Sequence, residues 1–172
     1  MTRLVFSNIF RFVLLIILQI LLLNYVSFGG YMIPFIYILA VLMLPTRVGN
    51  IPMLLIAFAS GALVDIFCNI PGFHTFSCTL MAFVRVVLGN RMLTRDDPTD
   101  AVIDTPSAHS VPLQTFALYL FVMSMVYSFS YCMLEAFSFG NFWMTMLSML
   151  LDAVGTWILM MLSQLLISPT KK

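Results

Sequence analysis

Charge is what this chain has least of: 9% of its 172 residues are charged, while 62% are hydrophobic. A soluble domain carries roughly 25% charged residues, so a surface facing water throughout is excluded and lipid is the expected solvent. Basic excess is missing too. A net charge of +1 leaves no clustered basic patch, which argues against nucleic acid or anionic lipid as the main partner. Cysteine is sparse: Cys68, Cys78 and Cys132 are odd in number and have no C-x-x-C spacing. Neither a disulfide framework nor a zinc site is indicated, and they read as small apolar helix residues. Long polar stretches are absent except for one, so no room is left for a separate soluble domain. The expected organisation is a single polytopic membrane domain over residues 1–172, with 91–112 as a cytoplasmic loop.

Catalytic signatures are lacking as well. No G-x-S-G, H-E-x-x-H or G-x-G-D string of an intramembrane protease occurs, so no enzyme activity and no cofactor are expected. The aspartates of the long loop, Asp96, Asp97, Asp100 and Asp104, lack the glycine and terminal glutamate of a calcium loop. A methionine-lined metal path would need clustered repeats such as M-x-x-M on aligned helices, and only the scattered Met144, Met146 and Met149 come near that pattern, so none is indicated.

What the chain does have is apolar length. Crossing a hydrocarbon core of about 30 Å takes about 20 helical residues. Six runs approach this: Phe12 to Phe28, Tyr31 to Leu44, Ile51 to Phe67, Gly72 to Asn90, Leu113 to Phe139 and Phe142 to Ile167. The first follows Arg3 and Arg11 but is followed by no small-x-small cleavage site, so it reads as a retained anchor, not a signal peptide. The second is short for a span and is expected to be bent, re-entrant, or extended through Gly29-Gly30. With six crossings, Arg3, Arg11, Arg47, Arg91, Arg95, Lys171 and Lys172 all fall on one side. The excess of basic residues on the cytoplasmic side then puts both termini there. Tyr25, Phe28, Tyr31, Phe139, Phe142 and Trp143 gather at the opposite interface, where amphipathic rings are favoured. The loop from Arg91 to Pro112, rich in Asp and Pro, reads as a mobile linker, with a docking point for a cytosolic partner as the functional alternative.

Four ionisable residues lie inside apolar segments: Asp65, Arg85, Glu135 and Asp152. Each costs about 2.5 to 3.5 kcal/mol on insertion scales, which makes it a functional candidate. Counting from the outer helix ends puts Arg85 about 20 Å deep and Asp152 about 16 Å deep, so an ion pair between the fourth and sixth helices is expected. The bland alternative has Arg85 reaching the cytoplasmic interface and Asp152 bonding Ser148, Thr145 or Thr156. Asp65 stands near the end of the third helix, facing the Pro71-Gly72 start of the fourth. Amides at a helix start favour an anion, so a capping role is expected, with a proton or ion relay to His74 as the sharper reading. His74 itself reads as a hydrogen-bonded interface residue. Glu135 sits a turn from the outer boundary and is expected to reach water. Gly61 and Ala57 place small residues four apart on the third helix, and Ala59, Ser60 and Ala62 are read as widening that face for close helix contact.

The stretch from Ala57 to Asp65, AFASGALVD, followed by Ile70 to Phe76, IPGFHTF, resembles the central signature of the bacterial rod shape-determining MreD family, approximately F-x-x-G-L-x-x-D, a short outer turn, then P-x-G-x-H-x-L. Gly61, Asp65, Gly72 and His74 match, whereas Phe76 stands where leucine is usual. The resemblance implies an all-α integral membrane bundle of about six transmembrane helices, similar to the substrate-binding component of energy-coupling-factor transporters. It also implies a non-enzymatic scaffold of the cell-wall elongation machinery in the bacterial inner membrane. Its partners would be MreC and, through it, MreB, with the RodA polymerase and a penicillin-binding transpeptidase in the same assembly. Gly61, Asp65, Gly72, His74, Arg85 and Asp152 are the expected structural or partner-binding residues. The alternatives are a vitamin-type transporter component, with a ligand pocket near Asp65 and His74, and a small ion-coupled carrier.

Overall fold

The computed structural model describes residues 13–20, 34–45, 48–70, 72–89, 106, 111–135 and 142–167. Among them the regular structure is entirely helical. α1 covers the described residues 13–20, with π-helical backbone at 19–20. α2 is the short Ile38–Leu42, α3 is Asn50–Cys68, and α4 is Phe73–Val84, prolonged by a π-helical turn at Arg85–Gly89. α5 is Leu113–Glu135 and α6 is Phe142–Ile167. Helix α4 packs between α3 and α5, and α5 packs against α6. The expected cytoplasmic loop and both chain ends lie almost wholly outside the described residues, as do Arg47 and most of the interfacial aromatics.

Three helices are long and apolar enough to cross a membrane: Asn50–Cys68, Leu113–Glu135 and Trp143–Gln164. At 1.5 Å per residue the shortest spans about 28 Å, close to a hydrocarbon core. Phe73–Leu88 is apolar but shorter. These helices keep large side chains on the outside, with Ile51, Leu55, Phe58, Ile66 and Phe67 on α3 and Trp143, Leu147 and Leu150 on α6 all exposed. In water such faces would drive association; in lipid they are the solvated surface. The buried face of α3 is instead narrow and small, carrying Met53, Ala57, Ser60, Gly61, Val64 and Asp65. Ala59 is exposed, so it does not widen this face as the sequence reading expects. At 100° per residue it lies well round the helix from Ala57 and Gly61.

The second apolar segment departs furthest from a spanning helix. Only Ile38–Leu42 is helical, preceded by non-helical backbone at 34–37. Five helical residues rise about 7.5 Å. Yet every residue from Phe35 to Leu42 is buried, most of them completely, so the segment forms the centre of the core and has no lipid face. Irregular backbone is tolerated at this depth only where protein satisfies its polar groups, and here side chains do so. Gln19 Nε2 donates to Pro34 O at 3.1 Å while its Oε1 accepts from the Ile36 amide at 2.9 Å. The Phe35 amide donates to Thr156 Oγ1 at 3.0 Å. At the other end, Arg85 donates to Val41 O and Leu44 O at 2.6 Å each, and Tyr119 Oη to Leu42 O at 3.4 Å. The segment is thus held by α1, α4, α5 and α6.

Gln19→Leu strips two main-chain groups of their partner at once, and Thr156→Val strips one. Leaving a buried donor or acceptor unpaired costs about 1 to 3 kcal/mol. Unfolding of the purified protein in detergent should therefore rank Gln19→Leu below Thr156→Val, and both below wild type. Equal melting of Gln19→Leu and wild type would show that the segment is held by packing alone.

Candidate functional site

Asp65 sits one helical turn after Gly61 on the buried face of α3, and both meet the first turn of α4. The carboxylate spreads over that turn: Oδ1 accepts from the His74 amide at 3.0 Å, and Oδ2 accepts from the Thr75 amide at 2.8 Å and the Thr75 hydroxyl at 2.5 Å. Gly72, the residue preceding α4, has no side chain with which to cap it. Asp65 therefore supplies, from the neighbouring helix, the anionic acceptor that an N-cap residue ordinarily provides. The connection is short because α3 ends on Asn69 in the left-handed region, φ 55°, and Gly72 re-enters at φ 84°. The Asn69 and Ile70 amides both return to Asp65 O, the latter at 3.0 Å, so one residue fixes the turn through its main chain and its side chain.

Gly61 makes the approach possible. A Cβ there would stand 2.6 Å from His74 O and Thr75 Cα and 2.8 Å from Thr75 N. These are backbone atoms and cannot swing aside, so any side chain at 61 pushes α4 off the Asp65 carboxylate. Gly72 is required for a different reason: nothing lies within 4 Å of a Cβ there, and only its positive φ favours glycine.

The fixed first turn aims His74 into the bundle, where its side chain is 1% exposed. Its Nδ1 hydrogen-bonds with Tyr127 Oη at 2.6 Å, and Tyr127 Oη with Tyr37 Oη at 2.8 Å. Phe35 packs into the same cluster, its ring centroid 5.5 Å from His74, 5.0 Å from Tyr127 and 4.9 Å from Tyr131. The other ring nitrogen, Nε2, is buried without a hydrogen-bond partner, as are Ser77 Oγ and Ser128 Oγ. The Asp65 carboxylate takes the His74 amide and not its ring, so the relay from one side chain to the other is not the arrangement present.

The expected ion pair between Arg85 and Asp152 is not formed. The Arg85 guanidinium, 2% exposed, donates to Val41 O and Leu44 O at the end of α2, and among the described residues it meets no carboxylate. Asp152, 5% exposed on α6, is approached by the thiol of Cys132 on α5, with Sγ 4.0 Å from Oδ2. Equal depth along two helices does not put two side chains on facing sides. Glu135 is exposed at the end of α5. Among the described residues no group of His, Cys, Asp and Glu is placed to hold a metal ion.

The turn between α3 and α4 thus gathers Gly61, Asp65, Gly72 and His74 at one place, while Arg85 and Asp152 lie elsewhere. Gln19, Tyr127 and Phe35 complete the polar and aromatic interior without having been singled out from the sequence, and Thr156, named there only as a partner for Asp152, takes the Phe35 amide. The class defined so far is an all-helical protein with three membrane-spanning candidates and a buried, glycine-permitted helix cap. Searched against protein-family models, curated proteins and solved structures, the chain finds no match.

Replacing the two glycines separates their roles. Gly61→Ala should lose about 1 to 3 kcal/mol by overpacking against backbone, whereas Gly72→Ala should lose about 1 kcal/mol from its left-handed conformation alone. Thermal unfolding in detergent checks the order; equal losses would mean that the tight contact at Gly61 is relieved by movement of α4. Exchanging the charges, Arg85→Asp with Asp152→Arg, should recover none of the protein level lost by each single variant.

Proposed function

We propose that this chain is a non-enzymatic scaffold of the bacterial inner membrane, of the MreD type, serving cell-wall elongation by binding MreC and, through it, MreB. RodA and a penicillin-binding transpeptidase would work in the same assembly. The observation that carries the reading is the convergence of Gly61, Asp65, Gly72 and His74. Four residues picked out for their resemblance to one short signature all take part in a single contact between α3 and α4, as expected where a signature preserves a fold element.

In this reading the chain crosses the bilayer six times with both termini cytoplasmic, and its architecture is similar to the substrate-binding component of energy-coupling-factor transporters. Segment 34–44 forms part of the second crossing. Its Phe35 ring meets His74 at one end and its Leu44 carbonyl meets Arg85 at the other. These α4 residues are about 16 Å apart along the helix axis, so the segment runs alongside α4 for about half the hydrocarbon thickness. The broad apolar exterior of the described helices fits a protein whose work is to contact other membrane proteins.

A tagged pull-down in mild detergent from the native bacterium tests the proposal, comparing wild type with Asp65→Asn at equal protein level. Recovery of MreC and wall-synthesis enzymes, reduced in the variant, is the expected outcome. Recovery of an ATPase with a transmembrane coupling subunit would overturn the scaffold reading in favour of a transporter component.

A further inference from the structure

We propose that His74, Tyr127 and Tyr131 form a binding site for a small planar aromatic molecule bearing a hydroxyl group, and that Phe35 is a plug, part of the chain itself, occupying that site. Three observations point the same way. The Phe35 ring lies against all three side chains, with centroids 4.9 to 5.5 Å away, as a bound aromatic ring would. Such offset and edge contacts are the favoured geometry between rings.

The second observation is chemical. His74 Nε2 is buried and has no partner, and a phenyl ring provides no conventional one. A buried polar atom left this way costs free energy, so the site is better matched to a ring with a hydroxyl than to phenylalanine. A hydroxyl serves whichever tautomer His74 holds, since it donates to a bare ring nitrogen or accepts from an N–H. Tyr127 already engages Nδ1 at 2.6 Å, so Nε2 is the ring's one polar atom left for a ligand.

The third concerns the plug. Phe35 stands on non-helical backbone, ahead of α2, and its main-chain neighbourhood is tied down by Gln19 and Thr156, not by a continuous helix. Local rearrangement there breaks a few side-chain hydrogen bonds and leaves the helical ladders of α4 and α5 intact. Binding would move Phe35 aside, and its affinity is reduced by the fraction of time the plug is out. This inference concerns a ligand site and stands apart from the scaffold reading.

The test uses the full chain in detergent with 4-fluorophenol and 4-fluorotoluene, followed by 19F NMR against empty micelles. Wild type should bind 4-fluorophenol saturably and prefer it over 4-fluorotoluene by about tenfold or more; His74→Phe should abolish that preference. Phe35→Leu should bind 4-fluorophenol about tenfold more tightly, because a smaller plug leaves the site open. Wild type showing only micelle partitioning would overturn the site, whatever the variants do. Equal acceptance of both probes by wild type, or unchanged affinity in Phe35→Leu, would make Phe35 ordinary core filling.

Discussion

The rest of the structure depends on one carboxylate meeting one helix start. A helix leaves its first amides without partners, and at the α3–α4 turn those of His74 and Thr75 are not left to water. Asp65 takes both and the Thr75 hydroxyl besides. The contact is possible only at very short range, and Gly61, one turn earlier, sets that range by offering no Cβ to the α4 backbone. Charge and small size are therefore parts of a single device: the glycine lets the helix in, and the aspartate holds it there. An isolated charge in an apolar span costs several kcal/mol, but here it is used where the helix dipole and three donors favour it.

Fixing the first turn of α4 fixes what its two ends deliver. His74 is turned inward onto Tyr127, and the π-helical turn that continues α4 carries Arg85 to the carbonyls of Val41 and Leu44. Between these points lies segment 34–44, the most buried stretch described. It has too few helical residues to satisfy itself, and it borrows hydrogen bonds from Gln19, Thr156, Arg85 and Tyr119. The membrane makes this exchange compulsory, because no water is present to take up an unpaired amide. Gln19 and Arg85, which hold opposite ends of the segment, both lie on π-helical turns. Such a turn holds an extra residue and re-aims the side chains beside it.

Much of this was legible in the sequence, and the boundary of legibility is physical. Composition and run length are sums over many residues, so they identify membrane character and the stretches of α3, α5 and α6 reliably. The Asp65 cap could be read because its cause is local: an acidic residue, a Pro-Gly turn and a helix start within a few positions. Segment 31–44 was harder, because hydropathy reports the affinity of a stretch for an apolar place and not whether that place is lipid or protein. Tyr37 to Leu42 looks the same in either. Gln19 carried no visible signal and Thr156 was read only as a partner for Asp152, since one polar side chain in an apolar run is informative only when its distant partner is known. Arg85 and Asp152 were matched by depth, which is a coordinate along the helix axis. Their partners were decided by azimuth, and Arg85 faces a segment read as bent, re-entrant or extended, a reading that did not say which carbonyls it leaves open.

Burial bears on how such a protein meets others. Asp65, His74, Arg85 and Asp152 are each at most 5% exposed, and Gly61 is buried beneath α4. None of these side chains presents a surface on which another membrane protein can rest. The parts of the described structure that face outward in the bilayer are apolar and bulky: Ile66 at 74%, Phe67 at 64% and Trp143 at 84% exposed. In the proposed scaffold, contact with a partner helix would therefore fall to such faces, or to segments outside those described. The charged and glycine residues act one step removed, by setting the angle and spacing of the helices that carry the faces. A change at Asp65 would then reach the proposed partner through a displaced α4, whereas a change at an outward residue would reach it directly and leave the fold alone. In lipid, packing fit and not hydrophobicity drives helix association, so a small displacement of α4 is enough to spoil a surface whose composition is unchanged.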